Sequence, residues 1–488
     1  MNSHLQKAYR HGIRWSLAGS LGTAIFQFAQ IAVFARLAGP EAAGDYALAA
    51  VFISFLTLVA EAGLSQAVVQ AEQIIPRQLA ALTWVNWLLG ALIFSLLWFT
   101  GPSIAGLFSR PELPGLLLLM GASLLITPFG AQYSGLMARE MQFDHFAKIE
   151  IASWAVSFFV TICLAWQGWG AWAMAMGFLT RNVVATAGYV WAGNRILHVN
   201  LFKISNLRAI TPILRFGAFE LSSRWADFFS NYLDKLIVAK WLGVAALGYY
   251  NLAFTFLMLP TARLGFVVTR VAYPLFARVR HDRLQLQTFF EQSAREIILL
   301  LFPIYLAMAL FSKEIVQIFF GEQWLPAAPL FVALGLAGLV RTLCAPFPQL
   351  VKGLGKPQIW LIWMLIFSSV LCGSLILFLT ISPTIESAAW SRTAAKFAVE
   401  IGLLYWLATW CGLNFIPLLR FAAKVLLWLL PMVLLTWLAG FISSDFWIAT
   451  VLKSTVFGVG MVVVYWYSPL RCEVKSLIQN FSQLKIQP

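Results

Sequence analysis

The stretch RLAGPEAAGDYALA, residues 36–49, lies over KWLGVAALGYYNLA, residues 240–253, when the chain is shifted by 204 positions. Six of the fourteen positions are identical: Gly39/Gly243, Ala42/Ala246, Gly44/Gly248, Tyr46/Tyr250, Leu48/Leu252 and Ala49/Ala253. Arg36 meets Lys240 with like charge. Two glycines at the same spacing in both copies predict the same tight turn, built where only glycine fits. The flanking sequence repeats in the same register. Before the first turn stand Ser16, Ser20, Thr23, Gln27 and Gln30, spaced as one face of a helix. Shifted by 204, those positions hold Glu220, Arg224, Asp227, Asn231 and Asp234. After the turn, Thr57, Ser65 and Gln66 are answered by Thr261, Thr269 and Arg270. The polar register and the glycine register agree independently, which chance likeness in a Leu- and Ala-rich chain does not supply.

Composition says where this repeat lives. Of 488 residues, 60% are hydrophobic, 15% aromatic and only 11% charged, against about 25% charged in a soluble domain. So few charges cannot cover the surfaces of the two or three soluble domains this length would make. A soluble enzyme, a disordered chain and a disulfide scaffold are excluded, and the fold class is an all-α polytopic membrane protein. A spanning helix needs about 20 apolar residues. Fourteen stretches qualify, at 15–37, 46–70, 79–100, 114–138, 148–168, 170–192, 211–241, 246–271, 295–319, 324–349, 359–381, 384–411, 421–441 and 446–468. Gly168-Trp169-Gly170 predicts a tight turn between the fifth and sixth. Prolines 128, 260, 303 and 346 fall inside spans, where neighbours or water must satisfy the freed backbone. The first run is too long for a cleaved leader and lacks its small-residue cleavage pattern.

The net charge of +14 is not a nucleic-acid footprint, because the basic residues sit in short gaps between apolar runs. With fourteen spans and an inside N-terminus, cytoplasmic segments hold 21 Lys and Arg and outer ones 4, which orients both termini to the cytoplasm. Six spans separate the two copies, so they share one orientation, as in two-lobed transporters with parallel repeats. The chain divides into a six-helix lobe at 1–204, a second at 205–411, and two additional helices with a cytoplasmic tail at 412–488. The lobes are expected to enclose a central cavity. The five cysteines show no pairing logic and the five histidines lie outside the spans or at their edges, so no metal, cofactor or catalytic site is expected.

Charges inside a membrane are costly and default to a functional reading. Span 7 carries Glu220, Arg224, Asp227, Asp234 and Lys235 and must face water or another polar stripe; span 1 offers one. Arg181, Arg263, Arg270, Arg341, Arg392, Lys396 and Lys453 fall within other spans. A surplus of positive charge suits an anionic passenger, and arginine presents a planar fork to phosphate oxygens. The candidate substrate-binding residues are Arg181, Arg224, Arg263, Arg270, Arg341, Lys396, Gln27, Gln30 and Asn231. The candidate ion-coupling residues are Glu61, Glu220, Asp227 and Asp234. Each has a structural alternative: Arg224 and Asp227 neutralise one another, Arg392, Lys396 and Glu400 form an internal ladder, and Arg270 snorkels to the headgroups. Arg181 has no acidic neighbour in its own helix and needs a partner from another helix or from substrate. Lys453 is expected near the outer end of its span.

With these residues in hand, ARLAGPEAAGDYALA (35–49), EAGLSQAVVQ (61–70), DKLIVAKWLGVAALGYYNLA (234–253) and LPTARLGFVVTRVAYPLFARV (259–279) resemble the polysaccharide-export flippase family. That family belongs to the multidrug/oligosaccharidyl-lipid/polysaccharide exporter superfamily. The motifs cover the first 280 residues; span number and hydropathy carry the rest. The resemblance implies two six-helix bundles with two added helices. It also implies movement of undecaprenyl-diphosphate-linked sugar units from the inner to the outer face of a bacterial cytoplasmic membrane, for surface polysaccharide synthesis. Polysaccharide polymerase and chain-length machinery are the implied neighbours. Only the Gly39/Gly44 turn and the Glu61-Ala62-Gly63 corner match the family pattern residue by residue, and both are architectural. The absence of GxxxxGK[ST] rules out a P-loop ATP site as the direct driver. The rivals are a multidrug or metabolite antiporter of the same superfamily, a flippase of lipid-linked peptidoglycan precursor, and a membrane polymerase or ligase of lipid-linked sugars. The basic surplus disfavours the antiporter, and short outer loops disfavour the enzyme.

Overall fold

The computed structural model describes residues 3–61, 76–140, 142–196, 211–261, 275–279, 282–443, 445–467, 470, 471 and 473. Within them, side chains are described except at 3–14, 17, 211–224, 226, 227 and 357. The described residues contain helices and no strand. In chain order they are α1 (Ser3–Glu61), α2 (Pro76–Phe108), α3 (Leu113–Gly121), α4 (Ser123–Ile126), α5 (Pro128–Arg139), α6 (Phe143–Trp166), α7 (Ala171–Ile196), α8 (Thr211–Leu242) and α9 (Val244–Pro260). There follow α10 (Arg283–Leu310), α11 (Ser312–Phe319), a 3₁₀ turn (Glu322–Ala327), α12 (Ala328–Leu343), α13 (Phe347–Gly353), α14 (Pro357–Ile381), α15 (Ile385–Cys411), α16 (Ile416–Ala439) and α17 (Phe446–Tyr467).

The described residues of each of the fourteen predicted segments fall mostly on helix, and 62–70, 262–271 and 468 lie outside the described residues. By length and apolar character alone, eight of the described helices can cross a membrane, or nine when the bent pair Leu113–Ile126 and Pro128–Arg139 counts as one. Only described residues enter that number, and α9 stops short at their edge; the rest of the shortfall has physical causes. Helix α1 runs through two predicted spans that meet at Gly39. Helices α8 and α15 carry the charged stripes that lower their hydropathy.

Local chemistry sets the helix ends. The Asp282 carboxylate accepts from the backbone N–H groups of Leu284 and Gln285 at 3.0 and 3.1 Å, capping α10. Thr384 caps α15 by accepting from Ser387 N–H, and α15 ends at Gly412 in the left-handed region, φ 64°. Gly168 and Gly170, both at positive φ, make the predicted turn between α6 and α7. Pro128 supplies no N–H, and the helix bends by 52° there.

The chain forms two compact units, Met1–Asn251 and Leu252–Pro488. In the first, α1 packs along α6, and α6 along α7. The two repeated turns meet inside this unit. Gly39 has φ 77°, ψ 175°, and its counterpart Gly243 has φ 86°. A Cβ on Gly44 would stand 1.8 Å from the Val244 carbonyl oxygen, and one on Gly248 would stand 2.2 Å from that of Pro40. Pro40 and Val244 are themselves related by the 204-residue shift. The contact is therefore reciprocal, a local two-fold between the copies, and it requires bare glycine at both positions. Phe55 of α1 extends the seam onto Trp225, Phe228 and Phe229 of α8.

The second unit is built around α12, whose Leu330, Phe331 and Leu334 are fully buried between α10 and α15. Thr393 of α15 donates to the Ala333 carbonyl at 2.8 Å. The last two helices pair with each other, and α16 rests on α10. Helix α17 buries only Val464. It is held by Tyr465 donating to the Leu299 carbonyl and by Lys453, whose ammonium is 2.5 Å from Glu314 of α11. Lys453 thus has a buried acidic partner that its own helix gave no sign of.

Candidate functional site: intramembrane charges

The α6–α7 hairpin brings four predicted or overlooked side chains together. Glu150 and Trp154 lie one turn apart on α6; Arg181 and Tyr189 share a face of α7. The Arg181 guanidinium donates through one terminal nitrogen to Glu150 Oε2 at 3.1 Å. Tyr189 donates to Glu150 Oε1 at 2.5 Å. Arg181 also stacks over Trp154, 4.5 Å from the ring centre. Its Nε is buried with no hydrogen-bond partner among the described residues. About a quarter of the Arg181 side chain stays exposed, 26%. This is a cation oriented by a carboxylate and a ring, with part of its donor fork uncommitted. Glu150 was missed in the sequence because it lies two residues inside its span, where a carboxylate looks interfacial. The demand of Arg181 for an acid outside its own helix was the available signal.

Gln30, a predicted binding residue, sits deep in the first unit. Its amide nitrogen donates to Thr161 at 2.7 Å and Ser157 at 3.2 Å, tying α1 to α6. The residue related to it by the repeat, Asp234, is also fully buried. It accepts from Tyr250 at 2.6 Å and from the Lys235 backbone at 2.9 Å. Lys235 donates to Asn251 at 2.8 Å and lies 4.8 Å from the Tyr232 ring. Both positions thus make interhelical anchors, one through an amide and one through a carboxyl group. Gln27, Asn231 and Glu61 are partly buried in the same unit, and each has interactions of its own.

In the second unit Lys396 pairs with Glu400 at 2.6 Å and lies 4.7 Å from the Phe367 ring. Arg392 stacks at 4.5 Å on Phe254 and is 3% exposed. The ladder expected along α15 is therefore an ion pair preceded by a cation held on aromatic faces. Arg341, on α12, is partly buried. Near the start of α10 a cavity of about 440 Å³ is lined by Glu291, Arg295, Glu296 and Glu473 among others. Its one arginine is already bridged to Glu291 and Glu473, so it does not suit an anion. Arg263 and Arg270 lie outside the described residues, and the side chains of Arg224, Glu220 and Asp227 lie outside the described side chains. No cluster of three metal-ligating side chains occurs among the described residues.

Long apolar helices, paired or stacked intramembrane cations and a glycine-locked repeat define a multi-pass membrane protein of the transporter fold. The chain superposes on a structure described as lipid II flippase MurJ, inward closed conformation, with TM-score 0.74 over 93% of this chain and 99% of that one, at 16% identity. It also superposes on an inward-facing multidrug resistance MATE family transporter of the MOP superfamily, with TM-score 0.63 over 80% and 94% of the two chains, at 16% identity. These matches speak for the fold. Residues 33–329 match the family described as polysaccharide biosynthesis protein, and the chain belongs to that family. Among its relatives are teichuronic acid biosynthesis protein TuaB of Bacillus subtilis, 27% identical over 76% of this chain and 78% of the relative, and lipopolysaccharide biosynthesis protein WzxC of Escherichia coli, 26% identical over 71% and 70%. Succinoglycan biosynthesis transport protein ExoT of Rhizobium meliloti is 24% identical over 79% and 77%.

Proposed function

We propose that this protein is a flippase that carries undecaprenyl-diphosphate-linked oligosaccharide units across the bacterial cytoplasmic membrane for surface polysaccharide synthesis. The observation that carries the reading is the Arg181 site: a guanidinium inside apolar helices, steered by Glu150 at 3.1 Å, with about a quarter of its side chain exposed. A diphosphate head cannot cross hydrocarbon unaided, and a planar, partly committed guanidinium is matched to phosphate oxygens. The names of the relatives, each tied to a surface polysaccharide, support the same substrate class. The work is translocation, not bond-making, so the protein is not an enzyme.

In this reading the lobes at 1–204 and 205–411 rock about a central cavity, and both termini face the cytoplasm. The head enters from inside while the prenyl tail stays in lipid. Arg181, Arg224, Arg263, Arg270, Arg341 and Lys396 meet the diphosphate, with Gln27, Gln30 and Asn231 beside them; Glu61, Glu220, Asp227 and Asp234 are the acids assigned to counter-ion coupling. An inside-negative potential assists export of an anion by about 2.3 kcal/mol per charge per 100 mV. Sugar polymerase and chain-length proteins receive the product outside.

Deletion of the gene tests this reading. The expected result is lipid-linked sugar stranded on the cytoplasmic face. Normal surface polysaccharide with altered drug efflux would replace the flippase by an antiporter. Arg181→Ala at equal protein level is expected to reduce export at least tenfold, and unaltered export removes Arg181 from the site.

A further inference from the structure

Helices α14 and α15 pack side by side in the second unit. Phe367 and Leu371 of α14 share one buried cluster with Ala395 and Val399 of α15, and Trp363 packs against it. Rising sequence number on one helix meets falling number on the other, so the two run antiparallel, and the start of α14 is level with the end of α15. Toward that end the seam becomes an aromatic ladder. Trp363 meets Trp406 edge-on at 5.9 Å between ring centres. Trp406 stacks on Trp410 at 4.8 Å, with the planes 16° apart. All three rings stay partly exposed. Gly402 lies one turn before Trp406 on the same face, and a Cβ there would meet only Trp363, at 4.0 Å. Bare glycine therefore leaves room beside the rings.

Two cations converge on the head of this ladder. Lys356, just before α14, holds its ammonium 4.8 Å from the Trp410 ring centre. Arg283, the first residue of α10, arrives from another side. Gln287 of α10 donates to the Asn414 carbonyl at 3.2 Å and accepts from the Asn414 N–H at 3.4 Å, tying the loop after α15 to α10. A Cβ on Gly412 would stand 3.0 Å from a terminal nitrogen of Arg283. Cys411, between Trp410 and Gly412, lies within electrostatic reach of both cations. Arg283 and Lys356 are exposed, and among the described residues neither has an ion-pair partner or donates a side-chain hydrogen bond. A cation placed there only to cap the last carbonyls of α15 would donate to them. The adjacent acid, Asp282, is spent on capping α10 and on Gln285 Nε2 at 2.9 Å.

The patch is amphiphilic along its length. Lys356 and Gly412 fall just past the predicted spans 359–381 and 384–411, which is headgroup depth, while Trp406 and Trp363 lie inside them. Tryptophan gathers at that level, and basic side chains between helix ends attract anionic headgroups. A guanidinium and an ammonium with open donors fit one phosphate group. A zwitterionic headgroup would bring its own cation against them. We propose that Arg283, Lys356 and Trp410, at the end of α15, form a binding site for the headgroup of one anionic phospholipid, with an acyl chain lying along Trp406 and Trp363. The site needs only the fold and stands apart from the flippase reading.

Thermal unfolding of the purified, delipidated full chain in neutral detergent tests the site, with titrations of phosphatidylglycerol, phosphatidylcholine, farnesyl diphosphate and inorganic phosphate. Phosphatidylglycerol should give a saturable rise in Tm that phosphatidylcholine and inorganic phosphate do not. Arg283→Gln and Lys356→Gln should each raise its midpoint about fivefold, and the double variant about thirtyfold. Lys356→Arg keeps the charge and should leave the midpoint unchanged. So should Arg195→Gln, which removes an exposed cation that stacks over Trp191 at 3.9 Å in the first unit. No rise specific to phosphatidylglycerol overturns the site, as does a midpoint that the double variant leaves in place. An equal loss in Arg195→Gln overturns it in favour of general surface charge. A rise with inorganic phosphate alone, or with farnesyl diphosphate at lower concentration than phosphatidylglycerol and lost in the same variants, overturns the phospholipid in favour of that ligand.

Discussion

At the residue scale, the intramembrane charges are mostly committed to protein partners, and that decides what each substitution does. Asp234 is fully buried and depends on the Tyr250 hydroxyl at 2.6 Å. Tyr250→Phe leaves the ring volume and removes the donor, so thermal unfolding in detergent should show a loss of about 1–3 kcal/mol. At the first repeated turn, burial pushes the Asp45 carboxyl up to about 6 despite the lowering effect of Arg110, which lies 3.7 Å away. The folded state then binds this proton more tightly than the unfolded chain. The stability it contributes is complete below the ordinary Asp pKa and is lost as pH rises through about 6. Asp45→Asn should flatten that part of the stability–pH profile, and an unchanged profile would contradict the assignment. Arg181 was legible as a lone intramembrane cation; Glu150 and Glu314 were not. An ion pair across helices leaves no spacing in the sequence, because its two members belong to different helical periods.

At the element scale, the repeated turns are the feature with the tightest steric requirement. Gly39 holds φ 77°, ψ 175°, a region closed to residues with a Cβ except at a cost of about 1–3 kcal/mol. Gly44→Val drives a side chain into the Val244 carbonyl, and Gly248→Val does the same to Pro40. Each should lower stability by about 1–3 kcal/mol. The two-fold relation makes a sharper prediction: the two variants should be alike, and the double variant should cost less than their sum, since either one already parts the interlock. A double-mutant cycle on Tm reads the coupling, and strict additivity would argue against one shared contact. The helix break at Pro128 was foreseeable as an unsatisfied backbone group, but the size of the bend, 52°, was not.

At the scale of the whole molecule, the repeat, the span pattern and the charge bias point to one architecture. The chain folds as two compact units divided at Asn251/Leu252, beyond the sequence repeat boundary at 204. The interlocked glycine turns explain the difference, since they draw α8 and the start of α9 onto the N-terminal helices. A reporter protein fused after residue 488 should be active only as a cytoplasmic fusion, by the 21-to-4 excess of basic residues on that side. An externally active fusion would invert the topology and with it the direction assigned to transport.

Sequence alone determined that this protein is a bundle of membrane helices with an internal repeat, because apolar length, helical period and glycine register are properties of the chain taken one segment at a time. It also determined that cations outnumber acids in that bundle. Which cations are spent on carboxylates and which keep an open donor was decided only by tertiary structure. Glu150 against Arg181, Tyr250 against Asp234 and Lys453 against Glu314 are short-range pairings between side chains that folding brings together. Their distances depend on how helices pack, and no single helix encodes its neighbour.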